Sequence, residues 1–156
     1  MSRAKPTIEI VVRDKGWRAA EPRAATLVRR TARATLAHEA RQDSDITVLL
    51  TDDHQMRDLN ARFRGKDAPT NVLSFPAPSG GDSLGDIALA LGVCVREAAE
   101  QGKPLAHHLQ HLTAHGVLHL LGYDHESDAE AEAMEAKERA ILAGLGVADP
   151  YAARTL

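Results

Sequence analysis

The pattern of apolar and polar positions along the chain predicts four short β-strands. Each is a run rich in Ile, Val, Leu or Phe that polar, glycine or proline residues bound. The runs lie at residues 8–12, 46–50, 71–75 and 84–89. Pro76 stops the third run, because proline cannot donate a ladder hydrogen bond. The Pro-Ser-Gly-Gly stretch at 78–81 is the most flexible connection that the sequence predicts.

Helical periodicity and capping signals predict about five helices around these strands. The helices span residues 21–40, 52–64, 92–101, 105–121 and 127–143. The second and the last begin with sequences typical of a capping box, Asp52 to Gln55 and Ser127 to Glu130. The segment 105–121 is apolar on several sides, so we expect this helix in the middle of the domain.

Length and composition predict one domain, residues 1–156. A chain of 156 residues with 44% hydrophobic residues can bury a substantial core. The interleaved elements predict an α+β fold in which about five helices cover a small four-stranded mixed sheet. The longest apolar run, residues 87–95, is far shorter than the ~20 residues of a membrane span, and no signal-peptide core precedes the first strand. The single Cys94 permits no internal disulfide, so we expect a cytoplasmic protein in which Cys94 is a small buried apolar residue.

The formal charge of −3 is unevenly distributed. Residues 1–66 carry 14 Lys or Arg against 9 Asp or Glu, whereas residues 67–156 carry 5 against 13. The basic half permits a polyanionic partner, although scattered surface charge is the commoner explanation of such a balance. We expect the many glutamates of the last helix to form a solvated face.

The histidine stretch at residues 115–125 carries the strongest chemical signal. His115 and His119 are four residues apart and therefore share one face of the predicted helix. Gly122 can end that helix in a left-handed conformation, so that the chain turns and brings His125 back to the same point. Three imidazoles with a free fourth position form the ligand set of a catalytic zinc, whereas structural zinc is normally closed by four protein ligands.

The same spacing occurs in the metzincin zinc peptidases, whose pattern is H-E-x-x-H-x-x-G-x-x-H. Gly116 stands where those enzymes have the glutamate that acts as general base. Peptide hydrolysis needs a base for the metal-bound water, so this replacement argues against a peptidase of that mechanism.

Three further residues in or near the motif are weaker candidates. His111 lies one turn before His115, where its imidazole is a candidate partner of a metal ligand or contact for substrate; a polar groove edge is the commoner role. His108 has the same alternatives. Asp124 is a candidate for orienting a ligand imidazole, and the alternative is that it only caps the turn.

Five blocks of the sequence resemble the bacterial YbeY family. They are Leu-Asn-Ala-Arg-Phe-Arg at 59–64, Pro-Thr-Asn-Val-Leu-Ser-Phe-Pro at 69–76, Leu-Gly-Asp-Ile at 84–87, the histidine stretch at 115–125 and Asp-Pro-Tyr at 149–151. The resemblance implies a single-domain zinc protein with a metzincin-like active-site helix. It also implies a single-strand-specific endoribonuclease that acts in rRNA maturation, at the 3′ end of the small-subunit RNA, and in ribosome quality control.

By position, the resemblance implies that one Zn²⁺ binds to His115, His119 and His125 and that Arg64 is catalytic. A fixed guanidinium suits phosphodiester cleavage, because negative charge gathers on the non-bridging oxygens in the transition state. Arg62 and Lys66 are weaker candidates for RNA backbone contacts. The implied partners are single-stranded RNA, rRNA, the small ribosomal subunit and ribosomal or assembly proteins, with no membrane.

The nucleophile and the type of protein stay open at this point. A zinc-activated water and the RNA's own 2′-hydroxyl are both candidates for the attack on phosphorus. A non-catalytic zinc-containing ribosome-assembly factor and, with less support, a zinc peptidase are the alternatives to a nuclease. Because aromatic residues are only 3% of the chain, we expect recognition of phosphates and shape rather than extensive base stacking.

Overall fold

A computed structural model describes residues 6–41, 44–78, 81 and 83–152. Within these ranges the chain forms four strands and six helices in an α+β arrangement. The strands are β1 (Ile8–Val12), β2 (Asp45–Thr51), β3 (Val72–Pro76) and β4 (Ser83–Ala90). The helices are α1 (Gly16–Ala20), α2 (Ala24–His38), α3 (Asp53–Arg64), α4 (Leu91–Glu100), α5 (Leu105–Leu120) and α6 (Asp128–Gly144). The connection predicted to be flexible, 78–81, lies partly outside the described residues.

The four strands form one mixed sheet in the order β1-β2-β4-β3. β2 pairs in parallel with β1 and with β4, and only the β3–β4 pair is antiparallel. The predicted α+β class, the four strands and the mixed sheet are therefore confirmed. Because β3 is the outer strand in this order, Val72–Pro76 form the edge of the sheet next to the candidate site.

The sequence prediction missed helix α1. This helix has only five residues, too few for a periodic apolar pattern, and its one buried side chain is Trp17. The Trp17 Nε1 donates a hydrogen bond of 2.9 Å to the carbonyl of Thr51, so a contact with the end of β2 holds the helix in place. The helix predicted from residue 21 begins only at Ala24.

Both predicted capping sequences start helices as expected, with Asp52 and Ser127 as the N-cap residues of α3 and α6. The Asp52 carboxylate accepts a hydrogen bond of 2.7 Å from the backbone N–H of Gln55, and the Ser127 hydroxyl accepts one of 3.1 Å from the N–H of Glu130. Each side chain accepts a hydrogen bond from a backbone N–H of the first turn, which has no carbonyl partner within the helix.

Helix α5 lies in the middle of the molecule, as its apolar content predicts. It packs against α2, α4 and α6 and against strands β3 and β4. Its Leu109, Leu112 and Val117 join the main core with residues of β2 and β4. From His108 to Leu120, the only half-buried residues of this helix are His111, His115 and His119. Among the described residues, no helix is both long enough and apolar enough to cross a membrane.

One part of the prediction for the last helix is wrong. Glu130 and Glu132 are exposed, as expected for a solvated face, but Glu138 is completely buried. It lies on the same side of α6 as Met134, Ile141 and Leu142, which all pack inward. The spacing of these apolar residues places Glu138 in their stripe and turns its carboxylate toward α5.

We expect Gly85→Ala to destabilise the fold strongly. Gly85 has a φ of +139°, and a Cβ there would lie 2.2 Å from the Phe75 carbonyl oxygen and 2.9 Å from the Ala77 nitrogen, both rigid backbone atoms. A loss of roughly 2–3 kcal/mol in the free energy of unfolding, measured by urea titration, is expected. Gly81→Ala is the control, because a Cβ at Gly81 meets nothing within 4 Å. Equal stability of the two variants would contradict this account.

Cys94 is fully buried, as predicted, and its thiol should not react in the folded protein. Burial, followed by the negative charges of Glu97 and Asp53, raises the pKa of the Cys94 thiol to about 12. The thiolate fraction at neutral pH should then be roughly 10³-fold below that of an ordinary cysteine. We expect a disulfide reagent to label Cys94 quickly in urea and only at the rate of unfolding in buffer. Rapid labelling of native protein would mean that the site opens locally.

Candidate metal centre

The two histidines on helix α5 face each other across one turn. The His115 and His119 rings have centroids 4.6 Å apart, and their Nε2 atoms are separated by 3.1 Å. Residues four apart on a helix superimpose, so the backbone alone places both imidazoles on the same side. Their Nε2 atoms therefore point toward a shared volume.

Gly122 ends the helix in the way that the sequence predicts. Its φ is +103°, a conformation that residues with a Cβ rarely adopt. The N–H of Tyr123 donates to the carbonyl of Leu118 at 3.1 Å, which satisfies a carbonyl at the helix end. The reversed chain brings the His125 ring to 5.6 Å from that of His115 and 5.1 Å from that of His119, measured between centroids.

His115, His119 and His125 can together hold a metal ion. One nitrogen from each ring lies within 4.8 Å of the other two. A tetrahedral zinc with Zn–N bonds of about 2.0–2.1 Å needs ligand nitrogens roughly 3.3 Å apart. The Nε2 atoms of His115 and His119 are 3.1 Å apart, close to this separation. The donor set is entirely imidazole and suits zinc, but other transition ions also accept such ligands.

The electrostatic surroundings favour neutral imidazole at the centre of this group. Burial lowers the pKa of His119, and the neighbouring His115 and His125 lower it further. Neutral imidazole is the form that binds a metal, because a protonated ring has no free lone pair. The fold therefore favours the neutral, metal-binding form of His119 in the absence of an ion.

A buried carboxylate lies directly behind His115. The Glu138 Oε2 is 2.9 Å from the His115 Nδ1, and its Oε1 is 2.7 Å from the Nε2 of His111. The hydroxyl of Tyr151 also donates to Oε1. Burial alone would raise the pKa of Glu138, but the hydrogen bonds from His111, His115 and Tyr151 outweigh it and bring the pKa to about 2. Glu138 is therefore ionised at neutral pH.

The three weaker candidates in or near the motif, His111, Asp124 and His108, lie in different surroundings. His111 contacts the Glu138 carboxylate, which also contacts the candidate ligand His115. Asp124 lines the same cavity as the three histidines, but its carboxylate accepts a hydrogen bond of 2.8 Å from the backbone N–H of His125. Asp124 therefore caps the turn, which was the alternative to orienting a ligand imidazole. His108 faces away and contacts Glu97 at 2.8 Å, buried in the protein.

Arg64 lies beside the histidines in an open cavity of about 520 Å³. It is the last residue of α3, and its Nη2 donates a hydrogen bond of 2.7 Å to the carbonyl of Ser74 on strand β3. The guanidinium also lies 5.9 Å from the centroid of the Phe75 ring. These contacts hold one side of the guanidinium, while the group as a whole stays exposed to the cavity.

Arg62 and Lys66 are placed differently from each other. Lys66 lines a smaller cavity of about 300 Å³ together with Arg64 and Thr70, next to the histidine cavity. Arg62 is exposed, with its guanidinium 6.0 Å from the Phe63 ring centroid, and it is not among the residues that line either cavity. A role in RNA contact stays a prediction for both residues.

Three residues of this region were not singled out from the sequence: Glu138, Tyr151 and Tyr123. The Tyr123 hydroxyl donates to Glu39, the residue that caps the C-terminal end of α2, and the Lys137 ammonium lies 4.9 Å from the Tyr123 ring centroid. These contacts hold the turn between His119 and His125 against two other helices. For Glu138, the only sequence signal was a charged residue in the apolar stripe of its helix.

Gly116 packs against the sheet. A Cβ there would lie 3.2 Å from Ile87 and 3.3 Å from the Ser74 hydroxyl. The Ser74 hydroxyl also donates to the Gly116 carbonyl at 3.1 Å. A side chain at this position would require Ile87 and Ser74 to shift by a few tenths of an ångström, so a close contact with the sheet accompanies the absence of the metzincin glutamate.

Comparison with known proteins identifies relatives that span the chain. The model of a family described as "Endoribonuclease YbeY" matches residues 9–146. A protein of that name from Rhodopseudomonas palustris (strain BisB5) is 53% identical over 97% of this chain and 84% of its own length. Its namesake from Bradyrhizobium sp. (strain BTAi1) is 51% identical over 96% of this chain and 94% of its own length.

A solved structure supports the fold independently. The solution structure of TM1509 from Thermotoga maritima superimposes with a TM-score of 0.56, covering 96% of this chain and 97% of the other, at 24% sequence identity. At that identity the likeness concerns the fold alone. The family match over most of the chain and the relatives at about half identity establish that this protein belongs to the Endoribonuclease YbeY family.

Proposed function

We propose that this protein is a zinc-dependent endoribonuclease, formed by one YbeY-like domain of residues 1–156. The observation that carries the proposal is the convergence of His115, His119 and His125 beside Arg64 in one open cavity. The family name supports cleavage of RNA. The substrate is single-stranded RNA, and the cellular process is maturation of rRNA at the 3′ end of the small-subunit RNA, together with ribosome quality control.

The three histidines hold the metal in this proposal. Zinc bound there supplies Lewis acidity and a water of lowered pKa at neutral pH. The cavity leaves the histidine edge open to solvent on the side of Arg64, so a phosphodiester can reach it. The attacking oxygen is either that water or the 2′-hydroxyl of the RNA.

Arg64 binds the scissile phosphate. Its hydrogen bond to the Ser74 carbonyl uses one Nη2 proton and orients the plane of the guanidinium, which leaves other N–H groups for a phosphate. A charge fixed in this way stabilises the developing negative charge without reorganisation during the reaction. The neighbouring cavity with Lys66 extends the basic surface, and an adjacent phosphate of the strand can bind there.

The RNA is recognised through its backbone and shape. Neither cavity presents a platform of aromatic side chains; Tyr123 is the one aromatic residue besides the histidines that lines the larger cavity. Arg64 and Lys66 provide cations for the backbone of a single strand, and the unpaired strand is the substrate in this proposal. The small ribosomal subunit in the cytoplasm and its ribosomal or assembly proteins are the partners in this proposal.

The two alternative functions have less support. A peptidase would need a general base near the metal, and Gly116 is pressed against Ile87 and Ser74. A purely structural zinc that only fixes the turn would not need an open cavity of about 520 Å³ at its histidines. Cleavage of peptides, or RNA binding without turnover, would support the first or the second alternative respectively.

Arg64→Ala should lower RNA cleavage while zinc stays bound. Loss of one positioned charge from the phosphate site is expected to reduce the rate by about 10²–10³-fold. The measurement is cleavage of end-labelled single-stranded RNA, with the zinc content of each preparation determined in parallel. Arg18→Ala is the matched control, because Arg18 is an exposed residue of α1 outside both cavities. Full activity of Arg64→Ala would remove this residue from the mechanism.

Metal removal should abolish cleavage, and zinc should restore it. The protein is stripped with a chelator, assayed, reloaded with zinc and assayed again, and His119→Ala is purified in the same way to expose contaminating ribonuclease. Activity that returns with zinc and is absent from His119→Ala is the expected result. Equal activity in all samples would contradict metal dependence. The product ends then identify the nucleophile, since a 2′,3′-cyclic phosphate arises only from attack by the 2′-hydroxyl.

A further inference from the structure

Glu138 is a buried carboxylate of α6, and its Oε2 lies 2.9 Å from the Nδ1 of His115 on α5. We propose that Glu138 is a positioning residue, which fixes the orientation and the tautomer of His115 so that His115 Nε2 is presented to the metal. The proposal rests on the proposed function insofar as it takes His115, His119 and His125 to be the metal ligands. It assigns a role to a residue outside the histidine motif.

The geometry assigns the proton on His115. An ionised carboxylate only accepts hydrogen bonds, so the 2.9 Å contact with Glu138 Oε2 requires the proton of His115 to lie on Nδ1. The lone pair then lies on Nε2, the atom that is 3.1 Å from the Nε2 of His119 and faces the candidate metal position. Without this acceptor, the neutral ring can carry its proton on Nε2 and block the site.

The second carboxylate oxygen is held in place by two further donors. His111 lies 2.7 Å from Oε1, and the Tyr151 hydroxyl donates to the same oxygen. With these contacts the carboxylate cannot rotate away from His115. The Glu138 side chain is only 1% exposed, so water does not compete for either oxygen. The ring of His115 is thus anchored through Glu138 to α5, α6 and the segment that carries Tyr151.

A purely structural role would be served more simply by an apolar residue. Glu138 lies in the stripe of Met134, Ile141 and Leu142, where burial of a charge is costly unless several donors surround it. An apolar residue of similar length, such as methionine, would continue that stripe without this cost. A carboxylate that contacts a metal-binding histidine typically changes the metal affinity by 10–100-fold. The function that we assign to Glu138 therefore depends on its contact with His115.

The test is the zinc affinity of Glu138→Gln, measured by competition with a chromophoric chelator on metal-free protein. Glutamine keeps the size of the side chain but has only one accepting oxygen for three donors. We expect the affinity to fall by about 10–100-fold and the visible spectrum of the Co²⁺-substituted protein to change. Glu132→Gln is the matched control, because it removes the same charge from an exposed position of the same helix. Its affinity and spectrum should equal those of the wild type.

Folding and metal binding are separated by the readouts. A variant Glu138→Gln that is less stable but binds zinc with wild-type affinity and an unchanged Co²⁺ spectrum overturns the proposal and leaves Glu138 a structural residue. Failure of the wild type itself to bind zinc would instead overturn the proposed metal site. Its binding is therefore measured first, with His119→Ala as the negative control.

A second measurement uses only the wild-type protein, so it does not depend on whether a variant folds. In zinc-loaded wild-type protein labelled with ¹⁵N at histidine, the His115 resonances should show a protonated, hydrogen-bonded Nδ1 and a coordinated Nε2. Coordination through Nδ1, or an Nδ1 proton in free exchange with water, would contradict the proposal even if Glu138→Gln cannot be purified.

Discussion

The close packing of helix α5 is the constraint on which the site depends. The helix packs against three other helices and two strands, and from His108 to Leu120 only its histidine edge is half-buried. Rigid packing fixes the direction of His115 and His119 to within the freedom of their own rings. The turn at Gly122 then reverses the chain, so that His125 lies beside His115 and His119. A loosely held helix could not bring three short side chains to one point.

Helix α6 supports this arrangement with two successive residues. Lys137 contacts the ring of Tyr123 and forms an ion pair of 3.1 Å with Glu39, which itself accepts from the Tyr123 hydroxyl, so the turn after α5 is held from α2 and α6. Glu138 reaches past it to His115. Because a buried charge is costly unless it is paired, the burial of the Glu138 carboxylate ties the interior of the protein to its candidate metal centre. The opposite wall of the cavity is built from β3, whose Ser74 carbonyl orients Arg64.

The site keeps the ligand spacing of the metzincins while excluding their catalytic residue. Gly116 allows α5 to approach the sheet, where a Cβ would lie 3.2 Å from Ile87 and 3.3 Å from the Ser74 hydroxyl. The same histidine spacing therefore lies beside a guanidinium, that of Arg64, and lacks the glutamate of the metzincin pattern. That combination suits a substrate that carries its own negative charge, in agreement with membership of the Endoribonuclease YbeY family.

The sequence by itself determined most of the elements and the three convergent histidines. Strands, capping boxes and the glycine turn are local features, and their signals lie within a few residues of each other. The spacing of His115, His119 and His125 is likewise local, so its geometry follows from one helix and one turn. The resemblance to the family singled out Arg64, whereas spacing alone gave no reason to choose it over Arg62.

Only the tertiary structure decided which residues of distant segments meet the site. Glu138 is 23 positions beyond His115, and its interaction exists because α6 packs on α5. The short helix α1 depends in the same way on the contact of Trp17 with the end of β2. Glutamates on a helix usually face water, so composition predicted a solvated face, and the stripe of Met134, Ile141 and Leu142 was the only sign to the contrary. Contacts between residues far apart in the chain depend on the packing of whole elements, which no local pattern records.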